Sequence, residues 1–458
     1  MAQNKRPKDI VRTDKWQMMP TAQQRQLLLD TVVEYRRLCR ALIGVIYTHW
    51  HEIGVLDSQK RIPKVERLIH STSKNPNPTY SYFGRSFYKF PSYYRRAGIQ
   101  FAIGQVSSFV TRYNEWQRGT RKRRDAKPPK LNADSSCYPS LYQGQCILFE
   151  PTNQSVRIKI YSQKDWVWIE IPIQINPGSV RHLKDSNQKM SPSLIVNSKS
   201  CHLSVPFKCK PVKRGDTDRI ISVDLGINST AVVSVVTSDG TVIDRHFMHP
   251  GIDIDRRDKR LKLISKKASL SKGELHKGFC KNLYRKASNI NQDIAHKVSR
   301  KIVNIAESWD ALVIVFEYLK GWKPKGGRKR STLKQRFHGW LHRRITEYTE
   351  MKWIELGGKV AYVNPAYTSK FAFDGSGVVK RGKANYELAT FKSGKQYNCD
   401  INATYNIAAK YWLVHKKDKV SRGKRSTTTP RSRAITLSML WESHTHNYRV
   451  LDTPTDTK

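Results

Sequence analysis

Three acidic residues stand where apolar runs end or helices begin, and their type and spacing point to phosphodiester chemistry. Asp224 closes the β-branched run Ile220-Ile-Ser-Val223 and is followed by a turn of small residues with Gly226, Asn228, Ser229 and Thr230. Glu317 closes a second apolar run, Ala311-Leu-Val-Ile-Val-Phe316, and Asp400 opens the segment Asp-Ile-Asn-Ala-Thr-Tyr-Asn-Ile-Ala-Ala409. Two divalent cations about 4 Å apart, clamped by a few carboxylates, can activate a water and stabilise a leaving oxygen without a tuned His or Cys. Oxygen ligands favour Mg²⁺, with Mn²⁺ as a substitute, over zinc. One such acid alone is read more simply as a turn cap or an Arg partner. Three at element ends favour a metal-dependent hydrolase.

The rest of the chain has the opposite sign. Its 458 residues hold 83 Lys and Arg against 37 Asp and Glu, a formal net charge of +46. Such an imbalance repels itself, and a polyanionic partner offsets it. Basic residues run from Lys5 to Arg433, so the expected binding surface is extended. A membrane is the rival partner, but there is no basic amphipathic anchor, and the apolar runs fall far short of the ~20 residues of a span. With no apolar segment at the N-terminus, a cytoplasmic location is expected. The seven cysteines (39, 137, 146, 201, 209, 280, 399) form no Cys-x-x-Cys pair and read as reduced thiols.

The elements that must position the acids follow from periodicity. Strands and helices alternate from 218 to 412, which predicts a mixed α/β domain within a multi-domain α/β chain. Residues 218–247 read as strand-turn-strand, 253–309 as basic helices, 333–356 as one long helix, 360–363 as a strand and 403–412 as a helix. Before them, 156–161 and 166–172 alternate with period two as a hairpin, and 193–196 with 200–206 read as another. A strand near 8–18 could join these across a helical insertion. Thr21 is placed to cap a helix carrying Arg25, Arg36, Arg37 and Arg40. Residues 71–96 interleave rings with Arg85, Lys89, Arg95 and Arg96. Those rings either stack bases or form a helical core, while the cations suit phosphates. The glycine-rich loop with Lys323, Lys325, Arg328, Lys329 and Arg330 reads equally as a nucleic-acid contact or a solvated loop. His338 and His342 lie four apart but lack the Glu of a zinc protease, and read as part of a basic face. The stretch 416–458 shows no convincing apolar period and is expected to be a basic, disordered tail.

The strings around Asp224, Glu317 and Asp400 resemble the three motifs of RuvC-type nucleases in the TnpB family and the related compact type V CRISPR effectors. The segments 341–352 and 364–369 resemble that family too. The resemblance implies an RNase H-like (RuvC) catalytic domain over 216–415. Before it would come a small β-barrel (wedge) domain, its first strand in 1–20 and its remainder in 131–212, interrupted by a helical recognition lobe over 21–130. It implies an RNA-guided DNA endonuclease with a guide RNA and a double-stranded DNA target carrying a short flanking motif. Asp224, Glu317 and Asp400 would be catalytic and would hold two Mg²⁺ ions. Arg36, Arg40, Arg85, Arg95, Arg96, Lys325, Arg328, Lys329 and Arg330 would contact nucleic acid.

One departure stands out. Where family members carry two Cys-x-x-Cys pairs, this chain has Ala372, Gly375, Thr390 and Ser393, so 365–399 is expected to be a degenerate zinc-ribbon insertion without zinc. Two other readings therefore remain: an RNA-guided DNA-binding protein with weakened or lost cleavage, and a transposase or resolvase with an RNase H-like core. The oligomeric state is left open.

Overall fold

The computed structural model describes residues 10–129, 137–184, 187–198, 200–226, 229–271, 273–319, 341–382, 385, 387–415 and 434–451. The chain divides into two compact units, Met1–Lys210 and Pro211–Lys458. Among the described residues no helix is long and apolar enough to cross a membrane.

The first unit begins with strand β1 (Ile10–Met18), then helices α1 (Ala22–Thr48), α2 (Trp50–Ile53), α3 (Ser58–Ile69), α4 (Tyr82–Ser86) and α5 (Ser92–Gln117). Strands β2 (Ile147–Phe149), β3 (Ser155–Ser162), β4 (Asp165–Gln174), β5 (Gln188–Lys189), β6 (Ser193–Val196) and β7 (Cys201–Cys209) follow. Thr21 and Gln24 form a reciprocal capping box that starts α1, a device worth about 1 kcal/mol. All pairings in this unit's sheet are antiparallel, in the order β2-β3-β4-β1-β7-β5 with β6 also on β7. Among the described residues the path has two ends, so the sheet is an open half-barrel where the resemblance implied a small β-barrel. Trp16, with no exposed surface, packs edge-on to Phe149 and against Phe207. The α1 hydroxyl of Thr31 accepts from Tyr161 N at 2.8 Å, and Tyr94 Oη of α5 donates to Lys159 O at 2.8 Å. These bonds fix both long helices on the sheet.

The second unit opens with β8 (Arg219–Asp224), β9 (Ala231–Thr237) and β10 (Val242–Met248). The basic helices α6 (Gly251–Leu270) and α7 (Lys281–Ser308) lead to β11 (Val313–Glu317), α8 (His342–Glu355) and β12 (Lys359–Val363). Three short strands, β13 (Lys380–Arg381), β14 (Leu388–Thr390) and β15 (Gln396–Asn398), precede α9 (Cys399–Lys410) and α10 (Leu437–Leu451). The main sheet runs β10-β9-β8-β11-β12, antiparallel through β8 and parallel from β8 to β12. Both its faces are covered. Ile220, Val232 and Val236 pack in one core with α9, while Ile221, Val233 and Val235 pack in another with α7 and α8. Alternation with two buried faces is why these strands read as unbroken apolar runs.

Some boundaries differ from the sequence reading: the helix expected over 403–412 begins earlier, at Cys399. Leu341 is the N-cap of α8, so the helix begins at His342, and the expected turns from 333 to 340 lie outside the described residues. The tail is also not wholly unstructured, because α10 is helical and buries Leu437 and Leu440 in the core with α9. Trp441 Nε1 donates to Gly240 O at 2.9 Å. Leu437, Leu440 and Trp441 make a one-turn apolar stripe, too short to stand out beside the preceding charge run.

Candidate active site

The parallel register of β8 and β11, with Val223 opposite Phe316, brings their C-terminal ends level. Asp224 and Glu317 are the last residues of those strands, so two acids far apart in sequence meet at one sheet edge. Asp400 arrives from the first turn of α9. The Asn398 side chain caps that helix, accepting from Asp400 N at 2.9 Å and Ile401 N at 3.0 Å. The helix N-terminus itself favours a carboxylate there. A Cβ on Gly226 would lie 3.5 Å from Asp400 Oδ2 and 2.6 Å from Ser229 O, so position 226 has no room for a side chain.

All three acids retain some solvent exposure. Burial, then the charges of Glu317 and Asp400, push the Asp224 carboxyl well above its ordinary range. Burial raises Glu317, opposed by the Thr368 hydroxyl and the Lys410 charge. Burial and then Glu387 raise Asp400, opposed by Arg381. Mutual repulsion among oxygen donors is the arrangement a hard divalent cation relieves. Among the described residues no three His, Cys, Asp or Glu side chains form a ready-made cage. The three carboxylates at converging element ends nevertheless form an oxygen donor set of the kind that suits a hard divalent cation.

The polar residues of α9 explain the rest of its motif. Thr404 Oγ1 lies 2.6 Å from Ser234 Oγ of β9. Asn402 Oδ1 accepts from Phe373 N at 2.8 Å while its amide donates to Phe371 O at 2.8 Å. Asn406 donates to Thr368 O and Phe371 O, both at 2.9 Å. Lys410 donates to Asn364 O at 2.9 Å and to Ala366 O. Thr368 in turn donates its hydroxyl to Glu317 Oε1. Sequence reasoning missed Thr368, Lys410, Arg381 and Glu387. The 4-residue spacing of Asn402, Asn406 and Lys410 was the available signal for the α9 stripe.

The segment expected as a degenerate zinc ribbon is packed by rings. Phe373 lies 5.6 Å from Phe391, 5.0 Å from Tyr397 and Tyr405, and 6.3 Å from Trp441 of α10. Ala372 and Gly375 sit at a tight turn closed by Gly375 N to Ala372 O at 3.2 Å. Ser393 lies in another, closed by Gly394 N to Phe391 O at 3.0 Å, and Thr390 ends β14. Ser393 Oγ donates to Asp374 Oδ2 at 3.3 Å.

The expected nucleic-acid contacts separate. Arg36 is buried, donates Nε to Cys137 O at 2.9 Å and lies over the Tyr138 ring, so it is used inside the first unit. Arg40 and Arg85 are exposed. Arg95 is partly buried, and desolvation lowers its pKa. Arg96 is exposed and pairs with Glu66 at 3.3 Å. Phe83, Phe87, Phe90 and Tyr94 are core residues, whereas Tyr82 and Tyr88 are exposed. Lys325, Arg328, Lys329, Arg330 and His338 lie outside the described residues.

Residues 12–162 match the model of the Aq_aa04 family, and residues 342–407 match that of the Cas12f1-like TNB domain. A 166-residue stretch is 31% identical to a TnpB-like protein of Aquifex aeolicus, covering 33% of this chain and 51% of that protein. A 160-residue stretch is 31% identical to the CRISPR-associated endodeoxyribonuclease Cas12f2 of a Micrarchaeota archaeon, covering 33% of this chain and 28% of that one. The chain thus matches about half of one curated relative and little more than a quarter of the other. Its fold resembles that of the mini-RNA-guided endonuclease CRISPR-Cas_phi3, with a TM-score of 0.53 at 13% identity over 88% of this chain and 93% of that one. The chain is similar to TnpB-like proteins and compact type V effectors, in line with the resemblance of its motifs.

Proposed function

We propose that this protein is an RNA-guided DNA endonuclease whose RuvC-like site hydrolyses a phosphodiester with divalent cations. The observation that carries this reading is the meeting of Asp224, Glu317 and Asp400 at one edge of the mixed sheet. That sheet, three antiparallel strands followed by two parallel ones, supports an RNase H-like core. The names of the relatives support nuclease chemistry, and the net charge of +46 supports a guide RNA and a DNA duplex as partners.

In this reading Asp224, Glu317 and Asp400 would hold two Mg²⁺ ions, and the ions would supply Lewis-acid activation and charge stabilisation for phosphodiester hydrolysis. The chain's own residues do the positioning. The parallel strand pair aligns Asp224 with Glu317, the Asn398 cap fixes Asp400, and the Thr368 hydroxyl orients Glu317. Arg381, exposed and close enough to oppose the charges of Asp224 and Asp400, meets a non-bridging phosphate oxygen. Exposed Arg40, Arg85 and Arg96 contact backbone phosphates. Recognition of the paired guide and target then rests on helix shape and backbone, as in other effectors of this type.

The test is purification from cells carrying the native locus, sequencing of co-purifying RNA, and a Mg²⁺-dependent cleavage assay with Asp224→Ala as control. Bound RNA with metal-dependent cutting supports the proposal. RNA and target binding without cutting supports a guided binder, the reading that replacement of the four cysteine positions favours. Absence of RNA supports a transposase or resolvase.

A further inference from the structure

One cation of the second unit is neither at the surface nor used by the reading above. Lys410 is only 6% exposed, and it lies ten residues beyond Asp400 on the face of α9 that carries Asn402 and Asn406. Burying an ammonium is unfavourable unless fixed acceptors and an opposite charge surround it. Here two main-chain carbonyls, Asn364 O and Ala366 O, accept from Nζ. Glu317 is the acid whose charge acts on it. The carbonyls belong to the turn leading to Thr368, whose hydroxyl donates to Glu317 Oε1 and also reaches Pro365 O at 2.9 Å. Asn406 holds the far side of that turn through Thr368 O.

We propose that Lys410 is a positioning residue for Glu317. Its ammonium pins the 364–366 carbonyls, which seats Thr368 on one oxygen of the carboxylate, and its charge balances Glu317 from inside the protein. Helix α9 thus carries Asp400 at one end and orders Glu317 from the other. Two of the three acids are set by one rigid element, and residue 317 needs no direct contact with α9. This inference rests on the three-carboxylate reading of the site.

The same geometry predicts a split between metal affinity and cleavage. Removing a cation beside an acidic site strengthens attraction for a divalent ion, while freeing Glu317 from its fixed orientation slows the reaction. The full-length protein is compared as wild type, Lys410→Met, Lys410→Arg, Thr368→Val and Asp224→Ala. Mn²⁺ binding without nucleic acid is followed by calorimetry, and guided cleavage and thermal unfolding are measured alongside. Lys410→Met is expected to cut at least tenfold more slowly while binding Mn²⁺ about two- to fivefold more tightly. Lys410→Arg should recover most of the lost rate. Thr368→Val, which removes only the hydroxyl, should fold normally and lose about three- to tenfold in rate. The inference is overturned by an unchanged rate in Lys410→Met or Thr368→Val, or by a parallel fall of affinity and rate in Lys410→Met. Mn²⁺ binding that survives Asp224→Ala unaltered sinks the three-carboxylate reading itself, a failure visible without any Lys410 variant.

Discussion

Each unit of this chain sequesters carboxylate, but to opposite ends. In the first, Asp14 of β1 is 10% exposed at its side chain and meets His182 Nδ1 at 2.9 Å, with the histidine 6% exposed. That acid has its partner and stitches one strand to the loop after β4. In the second, Asp224, Glu317 and Asp400 crowd together with only partial compensation, from the Thr368 hydroxyl and the Lys410 and Arg381 charges, and burial pushes each above its ordinary range. A fold tolerates a satisfied buried charge as structure. A group of like charges only partly balanced is costly, and such groups cluster at functional sites.

The two sheets differ in which strand ends they bring together. Antiparallel neighbours place a C-terminal end beside an N-terminal one, as throughout the β1–β7 sheet. A parallel pair places two C-terminal ends side by side, and β8 with β11 does this for acids separated by the whole α6–α7 excursion.

The sharpest way to break this contrast is to delete one acid of each kind. Asp224→Ala should reduce metal-dependent cleavage by roughly a thousandfold or more, measured on guided substrate. Asp14→Ala should leave the cleavage rate of the folded protein intact but destabilise the first unit by about 2 kcal/mol by removing the buried carboxylate that His182 Nδ1 meets, read by denaturant unfolding. If Asp14→Ala were harmless, or if Asp224→Asn destabilised its unit as much as Asp14→Ala does its own, the contrast would be void. In metal-free buffer Asp224→Asn is instead expected to stabilise the second unit by about 1 kcal/mol, because it relieves repulsion.

Metal addition should act on one unit alone. Mg²⁺ at a hundredfold excess over its dissociation constant should stabilise the second unit by about 2.7 kcal/mol, and the gain should vanish in Asp224→Ala. Zinc chelation separately probes the ring-packed segment 371–399. Phe373→Ala should cost about 3 kcal/mol in the second unit, whereas a zinc-specific chelator should leave its melting temperature unchanged; a drop on chelation would contradict packing by rings. The smallest expected effect is that of Arg381→Ala, a roughly tenfold slower cleavage with unchanged unfolding.

Much of the local structure was legible. The capping residue Thr21, the hairpin of β3 and β4, helix α5 and the apolar strands ending in Asp224 and Glu317 are written in periodicity and end signals, which depend on near neighbours. The α10 helix was not, because its apolar stripe spans one turn and is stabilised by docking on Phe373 and Gly240, residues far away in sequence. Arg36 was read as a surface cation since nothing local announces that Cys137 O and the Tyr138 ring will enclose it.

What the sequence determined by itself was the chemical inventory: three acids at element ends, a strongly basic remainder and no Cys-x-x-Cys pair. Those follow from residue type and local spacing. The tertiary structure decided which acids meet, through the parallel register of β8 and β11 and the capped start of α9. It also decided that the Thr368 hydroxyl meets Glu317, that Lys410 ties down the turn at 364–366, and that rings pack the cysteine-poor segment before α9. Such contacts join residues tens to hundreds of positions apart, and they are selected by packing, which no local period encodes.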